Sequence, residues 1–190
     1  MEIEELRGPF RIVAYAIASA DGMIADETGT MPKELHLEAD QRFFAKGLDR
    51  ADVLAHGRMS QEAHPNSPQR PRLILTRKVA AIALDPENAN ARLWNPAGAS
   101  LEEACAALGC ASGRVAVLGG PEVYRHFLAV GYDDFYLSVA DKVRLPGGVP
   151  IFGRGQGATP KELMLAAGLR PGPVQRLDGE VSLIEWTPPG

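Results

Sequence analysis

The segment that decides the fold lies at residues 114–124 and reads RVAVLGGPEVY. Its apolar first half predicts a buried strand, which runs directly into two glycines and then into a predicted helix at 121–128. Glycine lets the backbone approach a ligand closely, and a helix start presents unpaired N–H groups and the positive end of the helix dipole. The junction therefore suits a phosphate group, although a tight strand-to-helix turn without a ligand fits the same residues. It is not the Gly-x-Gly-x-x-Gly fingerprint.

A second junction of the same shape lies at residues 51–60. The stretch ADVLAHG at 51–57 predicts a short strand that ends at a glycine. Arg58 and Ser60 follow, in a short helix predicted at 58–62. A guanidinium and a hydroxyl are both good partners for a phosphate.

A third junction follows the predicted strand at 72–76, which reads RLILT and is followed by Arg77. Taken alone, an arginine at a strand end can be a solvated surface charge. Ligands in open α/β sheets bind outside the carboxyl ends of the strands, where the three junctions would meet. Together they predict a dinucleotide-binding site.

The rest of the chain alternates predicted strands and helices. An apolar run at 10–18 predicts a central strand that is covered on both faces. Capping boxes at 100–103 and 159–162 mark two helix starts, and strands at 174–177 and 181–186 predict a terminal hairpin. This order predicts an α/β sandwich with a mostly parallel sheet and antiparallel strands at the C-terminal edge. We expect a single domain over residues 1–190.

Asp40 is the best candidate for acid–base chemistry. It lies one turn before Phe44 on a predicted helix that runs to about Gly47, so both side chains could project into one cleft. A carboxyl group beside aromatic walls would have a raised pKa and could position or protonate a heterocycle. A solvated aspartate on the helix face fits the same spacing.

Composition excludes several functional classes. The chain has 190 residues, 45% of them hydrophobic and 23% charged, as expected for a globular protein. The net charge of −4 and the lack of a basic stripe argue against nucleic acid as a partner. No apolar run is long enough for a bilayer and the N-terminus is not a secretory signal, so we expect no membrane association and a cytoplasmic location. Cys105 and Cys110 predict reduced thiols, and no His or Cys spacing predicts a metal site.

The motifs, taken in chain order, resemble the dihydrofolate reductase-like superfamily. Within it the chain looks most like the reductase domain of riboflavin biosynthesis, the RibD C-terminal family. The resemblance implies a three-layer α/β sandwich and covers roughly residues 10–155. Its motifs are Ser19–Ala25, Asp40 with Phe44, Gly57–Ser60, Leu75–Arg77, Leu118–Tyr124 and Tyr132–Ser138.

The resemblance implies NADPH as the cofactor of an oxidoreductase. Thr76 and Arg77 match the site for the adenosine 2′-phosphate. Gly119 and Gly120 match a pair that carries a cis peptide bond beside the nicotinamide and pyrophosphate in folate reductases. The implied cofactor-binding residues are Ile24, Gly57, Arg58, Ser60, Thr76, Arg77, Leu118, Gly119, Gly120, Glu122, Val123 and Tyr124.

The resemblance also implies hydride transfer to a heterocycle. Asp40 falls where folate reductases place their acid, and Asp40 and Phe44 match the substrate-binding positions. The first candidate substrate is a ribosylaminopyrimidine of the 5-amino-6-(5-phosphoribosylamino)uracil type. The alternatives are dihydrofolate or another pterin, another small carbonyl or imine, and a non-catalytic NADPH-binding protein. The resemblance further implies a homodimer, while the short loop at 61–71 and the lack of a zinc deaminase domain are departures from the riboflavin enzymes.

Overall fold

The computed structural model describes residues 8–60 and 62–190, which form a ten-stranded sheet, a two-stranded sheet and four α-helices. The strands are β1 (Phe10–Ser19), β2 (Met23–Ala25), β3 (Val53–Gly57), β4 (Arg72–Leu75), β5 (Ile82–Leu84), β6 (Ala91–Trp94), β7 (Gly113–Gly119), β8 (Asp134–Ala140), β9 (Val149–Pro150), β10 (Arg170–Pro171), β11 (Gln175–Arg176) and β12 (Val181–Thr187). The helices are α1 (Glu38–Asp49), α2 (Leu101–Ala106), α3 (Pro121–Val130) and α4 (Pro160–Ala166). Short 3-10 helices lie at Lys33–Leu35 and Ser67–Gln69.

The large sheet is parallel through its centre. Its order is β10, β12, β8, β1, β7, β3, β4, β6, β5, and the pairs from β8 through β6 are all parallel. The strands β1, β3, β4 and β7 therefore end at the same edge. On β1, the side chains of Ile12, Val13 and Ala14 are all fully buried, which explains why this strand reads as a continuous apolar run.

Helices cover the sheet on both faces. On one face α1 packs Leu48 against Val13 and Leu54. On the other, α3 and α4 contribute Phe127 and Met164 to the larger core. This arrangement has three layers, as the resemblance implies. None of the helices in the described segments is both long and apolar enough to cross a membrane.

The C-terminal edge is antiparallel. Strand β12 pairs antiparallel with β8, and β11 folds back on β12 to form the predicted hairpin. Both predicted capping boxes are present, at Ser100 with Glu103 and at Thr159 with Glu162. The prediction of a mostly parallel α/β sandwich with an antiparallel C-terminal hairpin is confirmed.

The short helix predicted at 58–62 is wrong for the described residues of that stretch. Arg58 and Met59 form a turn, which the Ser60 amide closes by donating to the Gly57 carbonyl at 3.1 Å. The reason is tertiary: the chain turns inward so that Glu62 reaches a buried partner.

That partner is Arg72, whose side chain is fully buried at the start of β4. Its guanidinium donates to both carboxylate oxygens of Glu62, at 2.9 and 3.2 Å, and to the hydroxyl and carbonyl of Ser67. Burial alone would raise the pKa of Glu62, but the hydrogen bonds and charge of Arg72 lower it below its ordinary value. The ion pair fastens the loop between β3 and β4 to the sheet.

His56 extends this cluster toward the end of β3. Its Nε2 lies 3.1 Å from a guanidinium nitrogen of Arg72, which can only donate, so Nε2 accepts. Nδ1 then carries the proton and donates to the Gly57 carbonyl at 2.7 Å. Burial lowers the pKa of His56, in keeping with this neutral tautomer. The imidazole thus joins the buried ion pair to the turn after β3.

We expect Glu62→Gln to lower the free energy of unfolding by about 3–5 kcal/mol, because it leaves the Arg72 charge buried without a counter-charge. Urea unfolding at neutral pH measures this change. The matched control is Glu38→Gln, which removes an exposed pair with Arg42 on α1 and should leave the midpoint nearly unchanged. Equal midpoints for the two variants would contradict a stabilising role for the buried pair.

Candidate functional site

Two adjoining clefts lie at the carboxyl ends of the central parallel strands. The first, of about 510 Å³, lies beside α1 and is here called the aromatic cleft. The second, of about 450 Å³, lies beyond β3 and β4 and is here called the basic cleft. Both clefts are bordered by Met59, Ser60 and Gly120, so a ligand that is long enough can occupy both.

The basic cleft collects the three junctions of the sequence. The turn after β3, the chain after β4 and the start of α3 form its walls, because parallel strands deliver their carboxyl ends to one edge. Arg58, Arg77 and Lys78 provide its positive charge. Eight of the predicted cofactor-binding residues border it: Gly57, Arg58, Ser60, Thr76, Arg77, Gly120, Glu122 and Val123.

The start of α3 presents backbone donors to the basic cleft. Gly120 is the N-cap and provides no side chain, and Pro121 occupies the first turn. The first intrahelical hydrogen bond runs from the Tyr124 amide to the Gly120 carbonyl, at 2.9 Å. The N–H groups of Glu122 and Val123 thus precede the ladder and can donate to an external anion.

The glycine pair allows the backbone to lie close to its neighbours. A Cβ on Gly119 would lie 2.7 Å from the Tyr124 ring, and Gly119 has a φ of +98° that favours glycine. The peptide bond between Gly119 and Gly120 is cis, as in the pair that the resemblance implies. Gly119 itself borders neither cleft.

An exposed ion pair lies at the entrance of the basic cleft. Arg77 contacts Glu122 at 3.1 Å, with both side chains mostly exposed. Such pairs contribute little to stability, so Arg77 can exchange this carboxylate for a phosphate at small cost. Burial lowers the pKa of His126, which also borders this cleft.

Asp40 projects from the first turn of α1 into the aromatic cleft. Burial raises the pKa of its carboxyl group to about 6, while a hydrogen bond with Ser138 acts in the opposite direction. Burial and the nearby charge of Asp40 raise the pKa of Tyr124, whose hydroxyl donates to the Tyr15 carbonyl at 2.5 Å. Asp40 is therefore a carboxyl group that can gain or lose a proton near neutral pH.

Aromatic rings form the walls around Asp40. Tyr15 and Tyr136 stack with their ring centres 5.5 Å apart, and Phe43 meets Tyr136 edge to face at 5.2 Å. The ring centre of Phe44 lies 5.7 Å from that of His64, a residue of the loop after β3. Such a slot suits a planar ring. Phe44 borders the slot together with Ile24, Leu118 and Tyr124, which were predicted as cofactor contacts.

Several residues of the aromatic cleft were not predicted as site residues. On the paired strands β1 and β8, Tyr15 lies opposite Tyr136, and Ile17 lies opposite Ser138. Alternation along β8 would have placed Tyr136 and Ser138 on one face, but the pairing of β8 with β1 is a tertiary fact. Met59, Glu62 and His64 were not predicted as site residues because the sequence predicts a helix and a simple connection after β3.

Comparison with known proteins identifies the fold. No protein-family model matches the chain, and no curated protein matches it significantly in sequence. A solved protein assigned to riboflavin biosynthesis from Shewanella sp. PV-4 superposes with a TM-score of 0.64 at 20% identity, over 93% of this chain and 98% of the other. The chain has the dihydrofolate reductase-like fold.

Further solved structures of the same fold are named as reductases. A pyrimidine reductase-like protein from Corynebacterium diphtheriae has a TM-score of 0.62 at 14% identity, over 98% of this chain and 94% of the other. Dihydrofolate reductase from Enterococcus faecalis, complexed with NADP(H) and RAB-propyl, has a TM-score of 0.56 at 19% identity, over 93% and 95%.

A longer protein also contains the fold. It is the diaminohydroxyphosphoribosylaminopyrimidine deaminase/5-amino-6-(5-phosphoribosylamino)uracil reductase of Thermotoga maritima, with a TM-score of 0.60 at 19% identity. The match covers 95% of this chain and 56% of the Thermotoga chain. At these identities the likeness shows the dihydrofolate reductase-like fold.

We expect Asp40→Asn to stabilise the protein at pH 8 and to have less effect at pH 4. A carboxyl group with a folded pKa near 6 carries no penalty below its unfolded pKa, and it costs stability as the pH rises through 6. From the pKa difference, the gain at pH 8 should be roughly 1–3 kcal/mol larger than at pH 4. Urea unfolding at the two pH values measures it.

Ser138→Ala provides the companion measurement. Because the Ser138 hydrogen bond lowers the pKa of Asp40, its loss should raise that pKa further and extend the pH-dependent loss of stability to higher pH. A gain from Asp40→Asn that is the same at pH 4 and pH 8 would contradict the raised pKa.

Proposed function

We propose that the chain is an NADPH-dependent oxidoreductase, acting as one domain over residues 1–190, that reduces a planar nitrogen heterocycle. The observation that carries this proposal is the junction of the two clefts at Ser60 and Gly120. One cleft offers cations and free backbone donors, and the other offers an aromatic slot with a buried carboxyl group. A dinucleotide in the first cleft would present its reactive ring to a heterocycle in the second.

The residues of the basic cleft fit NADPH. The uncapped start of α3, with Ser60 and Arg58 opposite, suits the pyrophosphate. Thr76 and Arg77 suit the adenosine 2′-phosphate, and Ile24 and Leu118 would contact the nicotinamide from the aromatic cleft. When bound, the nicotinamide supplies a hydride from its C4 atom.

Asp40 would provide the proton for the reduction. Its carboxyl group faces the aromatic slot and, with a pKa near 6, a fraction of it is protonated at neutral pH. As a C=N bond takes the hydride on carbon, Asp40 would protonate the nitrogen of that bond, which is a ring nitrogen in a pterin and the exocyclic imine nitrogen in a ring-opened ribosylaminopyrimidine; this leaves a C–H bond, an N–H bond and an Asp40 carboxylate. Phe44 and Tyr136 would hold the ring in plane and exclude water.

Two classes of hydride acceptor fit this chemistry. A ribosylaminopyrimidine of the 5-amino-6-(5-phosphoribosylamino)uracil type is supported by the fold shared with the Shewanella and Thermotoga proteins. Dihydrofolate or another pterin is supported by the fold shared with the Enterococcus enzyme, and by the carboxyl group in an apolar slot. A binding protein without turnover is the third possibility. The homodimer and the cytoplasmic location stay predictions.

The cofactor assignment is tested by titrating NADPH and NADH against the protein and following nicotinamide fluorescence. We expect Arg77→Ser to raise the Kd for NADPH roughly 10–100-fold, as for loss of one charge-assisted hydrogen bond to a phosphate. The Kd for NADH should change little. Arg144→Ser is the matched control, since Arg144 borders neither cleft. Equal changes for both nucleotides would refute the 2′-phosphate site, and no NADPH binding at millimolar concentration would overturn the whole proposal.

Turnover is tested by NADPH oxidation with a panel of pyrimidine and pterin acceptors. We expect Asp40→Asn to lower kcat/KM by about 100-fold or more, the usual range for loss of a general acid. In the wild type, kcat/KM should fall as the pH rises above 6, because the protonated form of Asp40 is lost. Full turnover in Asp40→Asn would refute only the acid assignment, whereas NADPH binding without oxidation by any acceptor would support the binding-protein alternative.

A further inference from the structure

The charges that border the aromatic cleft narrow the class of acceptor, if the proposed function holds. Both acceptor classes above include anionic members, with a phosphate on the ribose or carboxylates on the folate tail. Proteins hold such groups with arginine, lysine or the start of a helix. An anionic acceptor would therefore need such a partner at the aromatic cleft.

Among the described residues that border the aromatic cleft there is no lysine and no arginine. Its charged side chains are Asp40 and Glu62, and its imidazoles are those of His36 and His64. The basic cleft beside it has three cationic side chains, all at the strand ends proposed to hold the cofactor. The positive charge of the site thus lies on the cofactor side.

Two arginines that contact Glu62, on the wall of the aromatic cleft, are already engaged. Arg72 is fully buried and makes a two-point contact with Glu62. Arg70 contacts Asp49 at 3.0 Å and lies 3.7 Å from Glu62. Moving either guanidinium to a substrate anion would leave the Glu62 carboxylate buried with less compensation, which is costly.

Part of the rim of the aromatic cleft is apolar. Met31 is 42% exposed and Met59 is 97% exposed, and both side chains border the cleft. They are two of the four large apolar side chains that are exposed in the described part of the chain. An exposed apolar rim is typical of a binding surface for an apolar group, and it would strip water from an anion without replacing the lost hydrogen bonds.

We propose that the aromatic cleft selects a planar nitrogen heterocycle without a phosphate or carboxylate substituent, such as an unconjugated pterin or a dephosphorylated ribosylaminopyrimidine. The inference rests on the proposed function for its chemistry but can be measured by binding alone. It excludes acceptors that an enzyme holds by an anionic tail, because the aromatic slot recognises the ring and the rim favours an uncharged substituent.

The test is equilibrium binding of two ligand pairs that differ only in one phosphate. The first pair is dihydroneopterin and its monophosphate, and the second is 5-amino-6-ribosylaminouracil and its 5′-phosphate. We expect the member without phosphate to bind at least tenfold more tightly in one pair or both. Preference for the phosphorylated member, equal binding within both pairs, or no binding of any of the four would overturn the inference. NADPH oxidation, followed separately, reports on the proposed function.

A positive charge introduced at the aromatic cleft tests whether the preference against a phosphate arises there. Gln41 is exposed on α1 and borders the aromatic cleft, so Gln41→Lys adds a cation at its wall. We expect it to tighten binding of the phosphorylated members at least threefold and to leave the uncharged members unchanged. Gln175→Lys, on exposed β11 away from both clefts, is the matched control and should change neither. The same result for both variants would overturn the assignment of the selectivity to this cleft.

Discussion

The parallel pairing of β1, β7, β3 and β4 is the constraint on which the rest of the structure depends. It brings four carboxyl ends to one edge, although 93 residues lie between the end of β1 at Ser19 and the start of β7 at Gly113. Most of the residues that we assign to ligand binding lie at that edge or on the helices that start there, and the exceptions are Ile24 on β2 and Tyr136 on β8. Because α1 and α3 lie on opposite faces of the sheet, their first turns flank the edge and divide it into an aromatic and a basic half.

The basic half of the site could be predicted largely from the sequence. The strand, two glycines and helix at 114–124 form a local pattern, since glycine dihedrals and an uncapped helix start are set by neighbouring residues. The turn after β3 was the exception. Its residues have no strong preference for a turn over a helix, and the position of Glu62 is set by Arg72 ten residues later. Sequence pattern does not reveal a buried ion pair of this kind.

The aromatic half was harder to predict because its walls come from distant elements. Asp40 and Phe44 share a helix face and were found by spacing, but Ser138 and Tyr136 reach the same cleft only because β8 pairs with β1. The hydrogen bond with Ser138 and the degree of burial determine the pKa of Asp40, and neither follows from local sequence. The fold was therefore predictable from pattern, whereas the electrostatics of the acid required the tertiary structure.

His56 connects the buried Glu62–Arg72 ion pair directly to the turn after β3 at the protein surface. Nε2 of its imidazole accepts from the guanidinium of Arg72, and Nδ1 donates to the carbonyl of Gly57. Both hydrogen bonds are direct, so a single side chain connects the buried ion pair to the turn. A substitution that weakens the packing around the buried ion pair will consequently change the position of the turn that contains Arg58 and Ser60. In a mutational survey, such a core substitution would resemble a ligand-binding defect, and only folding measurements made alongside would tell the two apart.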